Sequence, residues 1–211
     1  VGLRHDFQST NNFIDGWSTS VAFTYRNLAS VLEDVAIDAA VLKACDRRGI
    51  TGCDQVWGGF HQYVLTNPGF DMTVTSLASD VTDLNALGNN ITDDVLTFNL
   101  TADELAYPKA SRTYTAMDIT AKKTFDWGLA DLSYTLSETY GNYEGTVKSD
   151  NGQDDAGLTQ DFDQPGLTDG AKGLSPNHRA HKLKVRGFYK VSDDFTVGAN
   201  YRLTSPRKYG C

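Results

Sequence analysis

GLADLSYTLSE, Gly128–Glu138, alternates without a break. Ala130, Leu132, Tyr134 and Leu136 fall on one side of an extended chain. Leu129, Asp131, Ser133, Thr135 and Ser137 fall on the other. A period of two over ten residues is the mark of a strand whose two faces meet different media. Five other runs read the same way. Val21, Phe23 and Tyr25 follow Trp17 and Thr19 on one face of the run that ends at Arg26. Phe195, Val197, Ala199, Tyr201 and Leu203 oppose Thr196, Gly198, Asn200, Arg202 and Thr204. Leu183, Val185 and Tyr189 oppose Lys182, Lys184 and Arg186, with Phe188 breaking the pattern. TYTAMDITAKK sets Met117, Ile119 and Ala121 against Asp118, Thr120 and Lys122, and LRHDFQ alternates from Leu3 to Gln8. These runs predict strands near 1–8, 17–27, 112–123, 128–139, 180–190 and 195–205.

A soluble sandwich alternates too, so alternation alone does not choose between the two media. The polar face does better. It is dense in charge, with Arg26, Asp118, Lys122, Asp131, Lys182, Lys184, Arg186 and Arg202, while the apolar face is rich in aromatic residues. That division fits an antiparallel transmembrane β-barrel, greasy outside and wet within. The links between runs alternate strictly between short and long. Long structureless links are uncommon in compact domains, whereas outer-membrane barrels combine short periplasmic turns with long extracellular loops. The expected fold is therefore all-β: antiparallel barrel strands forming part of a barrel, with long extracellular loops at 28–111 and 140–178. The second loop holds YGNYEGTVKSDNGQDDAGLTQDFDQPGLTDGAKG (Tyr140–Gly173), with seven acidic residues and two lysines. It reads as a solvated surface loop, too poor in apolar residues to be core. In the first loop, Ala29–Lys43 is a short helix or turn, QYVLTNPG, DMTVTSL and VLTFNLT are short strands, and SDVTDLNALGNNITDD is a turn-rich tip.

Charge and cysteine usage narrow the function. The net charge of −8 argues against nucleic acid as a partner, because phosphate recognition needs a basic stripe. No apolar run approaches the roughly 18 residues of a membrane helix, and Val1 is followed by polar residues, not by an apolar leader. Cys45 and Cys53 bracket CDRRGITGC; they either close a small disulfide loop, as in an oxidising compartment, or remain two thiols. His61 alone does not complete a zinc set with them.

CDRRGITGCDQVWGGFHQYVLTNPG, YPKASRTYTAMDITAKKTFD, the Tyr140–Gly166 stretch and SPNHRAHKLKVRGFY together resemble the later barrel strands and loops of TonB-dependent outer-membrane receptors, in the Oar-like subgroup. The resemblance covers essentially the whole chain. It implies a segment from the C-terminal third of a 22-stranded barrel, localised to the outer membrane. Its implied partners are outer-membrane lipid, the remaining barrel strands, and a plug that engages the TonB complex. It also implies that Cys211 opens an extracellular loop whose cysteine partner lies downstream.

Candidate sites are few. Asp150, Asn151, Asp154 and Asp155 offer hard oxygen ligands within six residues, a candidate Ca²⁺ site that departs from the EF-hand spacing. The bland alternative is a hydrogen-bonded solvated loop. Asp161 and Asp163 join the same ligand-facing loop. His178 and His181 are expected on opposite faces and do not form a metal pair. No GxSxG nucleophile turn and no phosphate-cradling glycine loop occurs, so neither an enzyme nor a bound cofactor is expected. The sequons at Asn90 and Asn99 are expected to be coincidental. The charged strand faces either line a transport path or form cross-strand ion pairs. The functional expectation is a transporter that takes a solute at its extracellular loops and passes it through the lumen. The alternatives are a passive porin or a surface adhesin, with a secreted β-sandwich enzyme third.

Overall fold

In a computed structural model of the chain, residues 1–58, 62–149 and 151–208 are described. In chain order the elements are β1 (Gly2–Asp6), β2 (Ser18–Leu28), β3 (Glu33–Ala36), α1 (Asp38–Arg48), α2 (Cys53–Trp57), β4 (Tyr63–Thr66), β5 (Met72–Thr75), α3 (Ala78–Ala86), β6 (Thr97–Leu100), α4 (Ala102–Leu105), β7 (Arg112–Phe125), β8 (Gly128–Gly141), β9 (Gly173–Leu174), β10 (His181–Lys190) and β11 (Thr196–Thr204). They fall into two compact units. One contains residues 1–28, 112–141 and 173–211; the other contains 29–111 and 142–172.

The first unit is an open antiparallel sheet in the order β1-β2-β7-β8-β10-β11, with the short β9 beside β8. Its register aligns the alternating residues of every strand. Leu3, Val21, Ile119, Tyr134, Leu183 and Leu203 form one cross-strand row. The next row, Arg4, Ser20, Thr120, Ser133, Lys184 and Arg202, points to the opposite face. A slip of one residue in any strand would interchange the faces. Among the described residues, no second layer of this unit covers the apolar face. Val21 is 46%, Leu132 38% and Val197 50% exposed. Near the short turns this face carries an aromatic cluster. Phe125 stacks on Trp127 at 4.2 Å, and Trp17 and Tyr189 lie 6.3 and 5.3 Å from their ring neighbours in it. Gly128 opens β8 where only a glycine fits, since a Cβ would lie 2.1 Å from the Phe188 carbonyl oxygen.

The second unit is a folded α+β body with its own core. Ribbons β3–β4 and β5–β6 and helices α1 to α4 bury Val35, Val41, Leu84, Phe98, Leu100 and Phe162 among others. Helix α1 ends at Gly49, whose φ of 67° makes the left-handed turn, with Arg47 and Arg48 beside the negative end of the helix. Cys45 and Cys53 are joined by a disulfide and are both buried, tying α1 to α2.

The connections depart from the sequence expectation at three points. The run Ala29–Lys43 is neither one helix nor a turn: its first part pairs as β3 and the helix begins at Asp38. The tip read as turn-rich contains α3, because Asp80 caps the Leu77 N–H at 2.9 Å and Val81 and Leu84, three apart, both enter the core. The acidic stretch after Tyr140 is not wholly solvated: Phe162, Thr159, Tyr143 and Ala156 are buried.

Candidate functional site

The polar face of the sheet is built by the strands themselves. Arg186 donates from Nε and Nη2 to Asp131 Oδ2 at 2.9 and 2.7 Å across the β8–β10 pair. Ser20 and Thr120 share a hydrogen bond of 2.6 Å across β2–β7. Near the long-loop end, Arg26, Arg112, Tyr114 and Lys182 line a broad concavity with Asp118. Such a face suits contact with water, an ion path or polar protein. Pairing accounts for part of its charge, as for Asp131 and Arg186.

The second unit joins both long loops. Glu33, on β3, is 1% exposed and accepts a hydrogen bond from Thr159 Oγ1 at 2.6 Å. The Ala36 N–H donates to the Asp163 carbonyl at 3.1 Å, and the Tyr107 hydroxyl donates to the carbonyls of Ala36 (2.9 Å) and Asp163 (3.2 Å). Lys148 pairs with Asp161 and lies 3.8 Å from Glu144. The seam is short of donors: Glu33 Oε1, Asp34 Oδ1 and Asp163 Oδ1 have no hydrogen-bond partner among the described residues. Burial is the main reason the Glu33 carboxyl is pushed up to about 7, with Asp161 and Asp34 adding to it against the Thr159 bond and Lys148. Burial also raises Asp34 and Asp163.

The residues singled out from sequence are divided by this arrangement. Asp161 and Asp163 belong to the seam. Asn151 turns its amide onto Gln153 at 2.8 Å, and Asp155 Oδ1 accepts from the Gly157 N–H at 2.8 Å, so both serve their own turn. Asp150, His61 and Cys211 lie outside the described residues. Among those described, no three His, Cys, Asp or Glu side chains are grouped to hold a metal ion. His178 is buried, with Nδ1 accepting from the Thr139 N–H at 3.2 Å, and His181 Nδ1 meets the Tyr134 hydroxyl at 2.7 Å. Glu33 and Asp34 escaped the sequence reading. Their one signal was a Glu-Asp pair entering a run of Val, Ala and Ile, where charges are costly.

The sheet unit is thus an open antiparallel sheet with one exposed apolar face and one charged face, and the long connections 29–111 and 142–172 run between its strands. Among the described residues no helix is long and apolar enough to cross a membrane. The chain is 36% identical over 104 residues to the TonB-dependent transporter Oar of Myxococcus xanthus. That stretch is 47% of this chain but 10% of the relative, so the relationship is to one part of a much longer protein. No family model matches the chain, and no solved structure matches it.

Proposed function

We propose that this chain is a stretch of wall, with two ligand-facing loops, from a TonB-dependent transporter of the outer membrane, in the Oar-like subgroup. The observation that supports it most is the continuous exposed apolar face. From Trp17, just before β2, to Tyr25 the outward residues span eight residue steps, about 26 Å of strand. Tilted by about 40°, this covers about 20 Å of membrane normal, close to the roughly 25 Å apolar band of such barrels. The aromatic cluster at the short turns takes the place of an interfacial girdle. About a dozen half-exposed apolar side chains entering hydrocarbon gain on the order of 10 kcal/mol, whereas in water the same patch invites aggregation. The edges β1 and β11 then pair with further strands of the receptor, since unpaired edges are not tolerated in lipid.

In this reading the folded loop unit faces the outside medium and contributes to solute capture, and the charged face lines the lumen and meets the plug. A TonB-driven rearrangement of the plug then lets the solute pass. The wall performs no chemistry, so the chain is not an enzyme.

Single cysteines placed in the full-length receptor test this reading in intact outer membranes. Val21→Cys, Leu132→Cys and Val197→Cys should resist a membrane-impermeant maleimide and be quenched by lipid-borne nitroxide. Ser20→Cys, Ser133→Cys and Asn200→Cys should show the opposite. Equal aqueous labelling of both sets would refute the membrane assignment. Loss of uptake on deleting TonB separates active transport from a passive pore.

A further inference from the structure

Charge is segregated along the chain. The loop unit carries 19 acidic and six basic residues, formally −13, while the sheet unit carries eight acidic and 13 basic, formally +5. The loop unit therefore attracts cations over several ångströms before any contact forms.

Within it, the β5–β6 ribbon has one covered edge and one open edge. The Ser76 N–H donates to the Leu96 carbonyl at 2.8 Å, which fixes the phase of the ladder. Met72 and Val74 occupy hydrogen-bonded pairs with Leu100 and Phe98, and Thr73 and Thr75 occupy the alternate pairs. The backbone N–H and C=O groups of Thr73 and Thr75 therefore point away from β6. They have no partner among the described residues. On the opposite edge, the outward carbonyl of Thr97 on β6 is taken by Arg48 Nη2 at 2.6 Å. An open edge of this kind is a template for another strand.

A cavity of about 300 Å³ opens beside Thr75. Its apolar lining includes Val41, Val56, Trp57 and Phe98, and its acidic residues are Asp38 and Asp80. No basic residue lines it among those described. The space suits one or two apolar side chains, and its charge suits a lysine or arginine neighbour.

We propose that the open edge of β5 binds an extended cationic polypeptide segment as an added strand, with one apolar side chain seated in the adjoining cavity. Main-chain hydrogen bonds at Thr73 and Thr75 would hold the segment, the cavity would select its alternate side chains, and the acidic unit would draw it in. The inference rests on the proposed function only in that the loop unit must face the medium. Because the test reads binding directly, its failure leaves the lipid-facing assignment untouched.

The probe is a fluorescent, end-capped heptapeptide alternating lysine and leucine, titrated by anisotropy into the full-length receptor in a neutral detergent. Saturable binding is expected. Methylating peptide nitrogens of one parity should weaken it by about fivefold per site, and methylating the other parity should not. Thr75→Pro removes an outward N–H that β6 does not use and should cost a similar factor. The methyl scan needs no protein variant, so it decides the matter even if that variant fails to fold. Absence of binding overturns the proposal. So does equal binding of the glutamate-leucine counterpart. Binding that salt abolishes but neither methyl parity alters is charge adhesion only, and overturns it as well.

Discussion

Replacing Glu33 with Gln keeps the shape of the side chain and an acceptor for the Thr159 hydroxyl but deletes the charge. Glu33 is 1% exposed, with one oxygen lacking any partner among the described residues, and its carboxyl titrates near 7 instead of 4.5. An acid whose pKa is raised by folding weakens the fold as pH rises. Below about 4.5 both the folded and opened states hold the proton and the packing has its full strength. Between there and about 7 the opened state releases its proton first, so opening becomes easier. Above about 7 the loss is complete. A difference of about 2.5 units corresponds to about 3 kcal/mol. Asp34 and Asp163 are raised by burial too and act in the same direction. Native-state hydrogen exchange of the full-length protein in micelles measures this at the Ala36 amide, which donates to Asp163. After correction for intrinsic exchange, wild-type protection should fall by about 3 kcal/mol or more from pH 4.5 to pH 8. Glu33→Gln should keep only a shallow remainder of that slope and exceed wild type in protection at pH 8. Equal slopes in the two proteins, or protection rising with pH, would refute the reasoning.

Three other outcomes follow from the geometry. On the proposed lipid-facing assignment, Leu132→Arg on the exposed apolar face should cost about 2–4 kcal/mol of stability, while Ser133→Arg on the charged face should cost under about 1 kcal/mol; heat-modifiable gel mobility compares them. Joint replacement of Cys45 and Cys53 by Ser opens a loop with a sequence separation of 8 and should destabilise the loop unit by about 2.5 kcal/mol, read as faster limited proteolysis within 29–111. Gly128→Ala places a methyl against the Phe188 carbonyl and should reduce the folded fraction in a refolding assay, with the equivalent change at Gly173, where an added Cβ meets no atom within 4 Å, as a tolerated control.

The sheet was legible in the sequence because its two faces differ in polarity. Leu132 and Ser133 each report their own side, and the same contrast repeats on the neighbouring strands. The loop unit was much less legible. Its ribbons showed through short runs such as MTVT, but α3 is nine residues long and punctuated by polar groups, so only Val81 and Leu84 marked its buried stripe. The seam was not legible at all. Glu33 meets Thr159 across 126 residues, and no local pattern announces a contact between two such distant connections. The acidic run after Tyr140 invited a metal reading because charge is visible in sequence, whereas the burial of Phe162 within the same run is set by residues elsewhere.

Because one folded body draws on two separate connections, neither is a free-standing module for engineering or for recombination between related proteins. Grafting residues 29–111 alone into another protein would strip Glu33 of its only described donor and leave the Ala36 N–H without the Asp163 carbonyl, while the Tyr107 hydroxyl would keep only its bond to the Ala36 carbonyl. Exchanges that preserve a working surface have to move both connections together, and natural variation here is expected to travel as a matched pair.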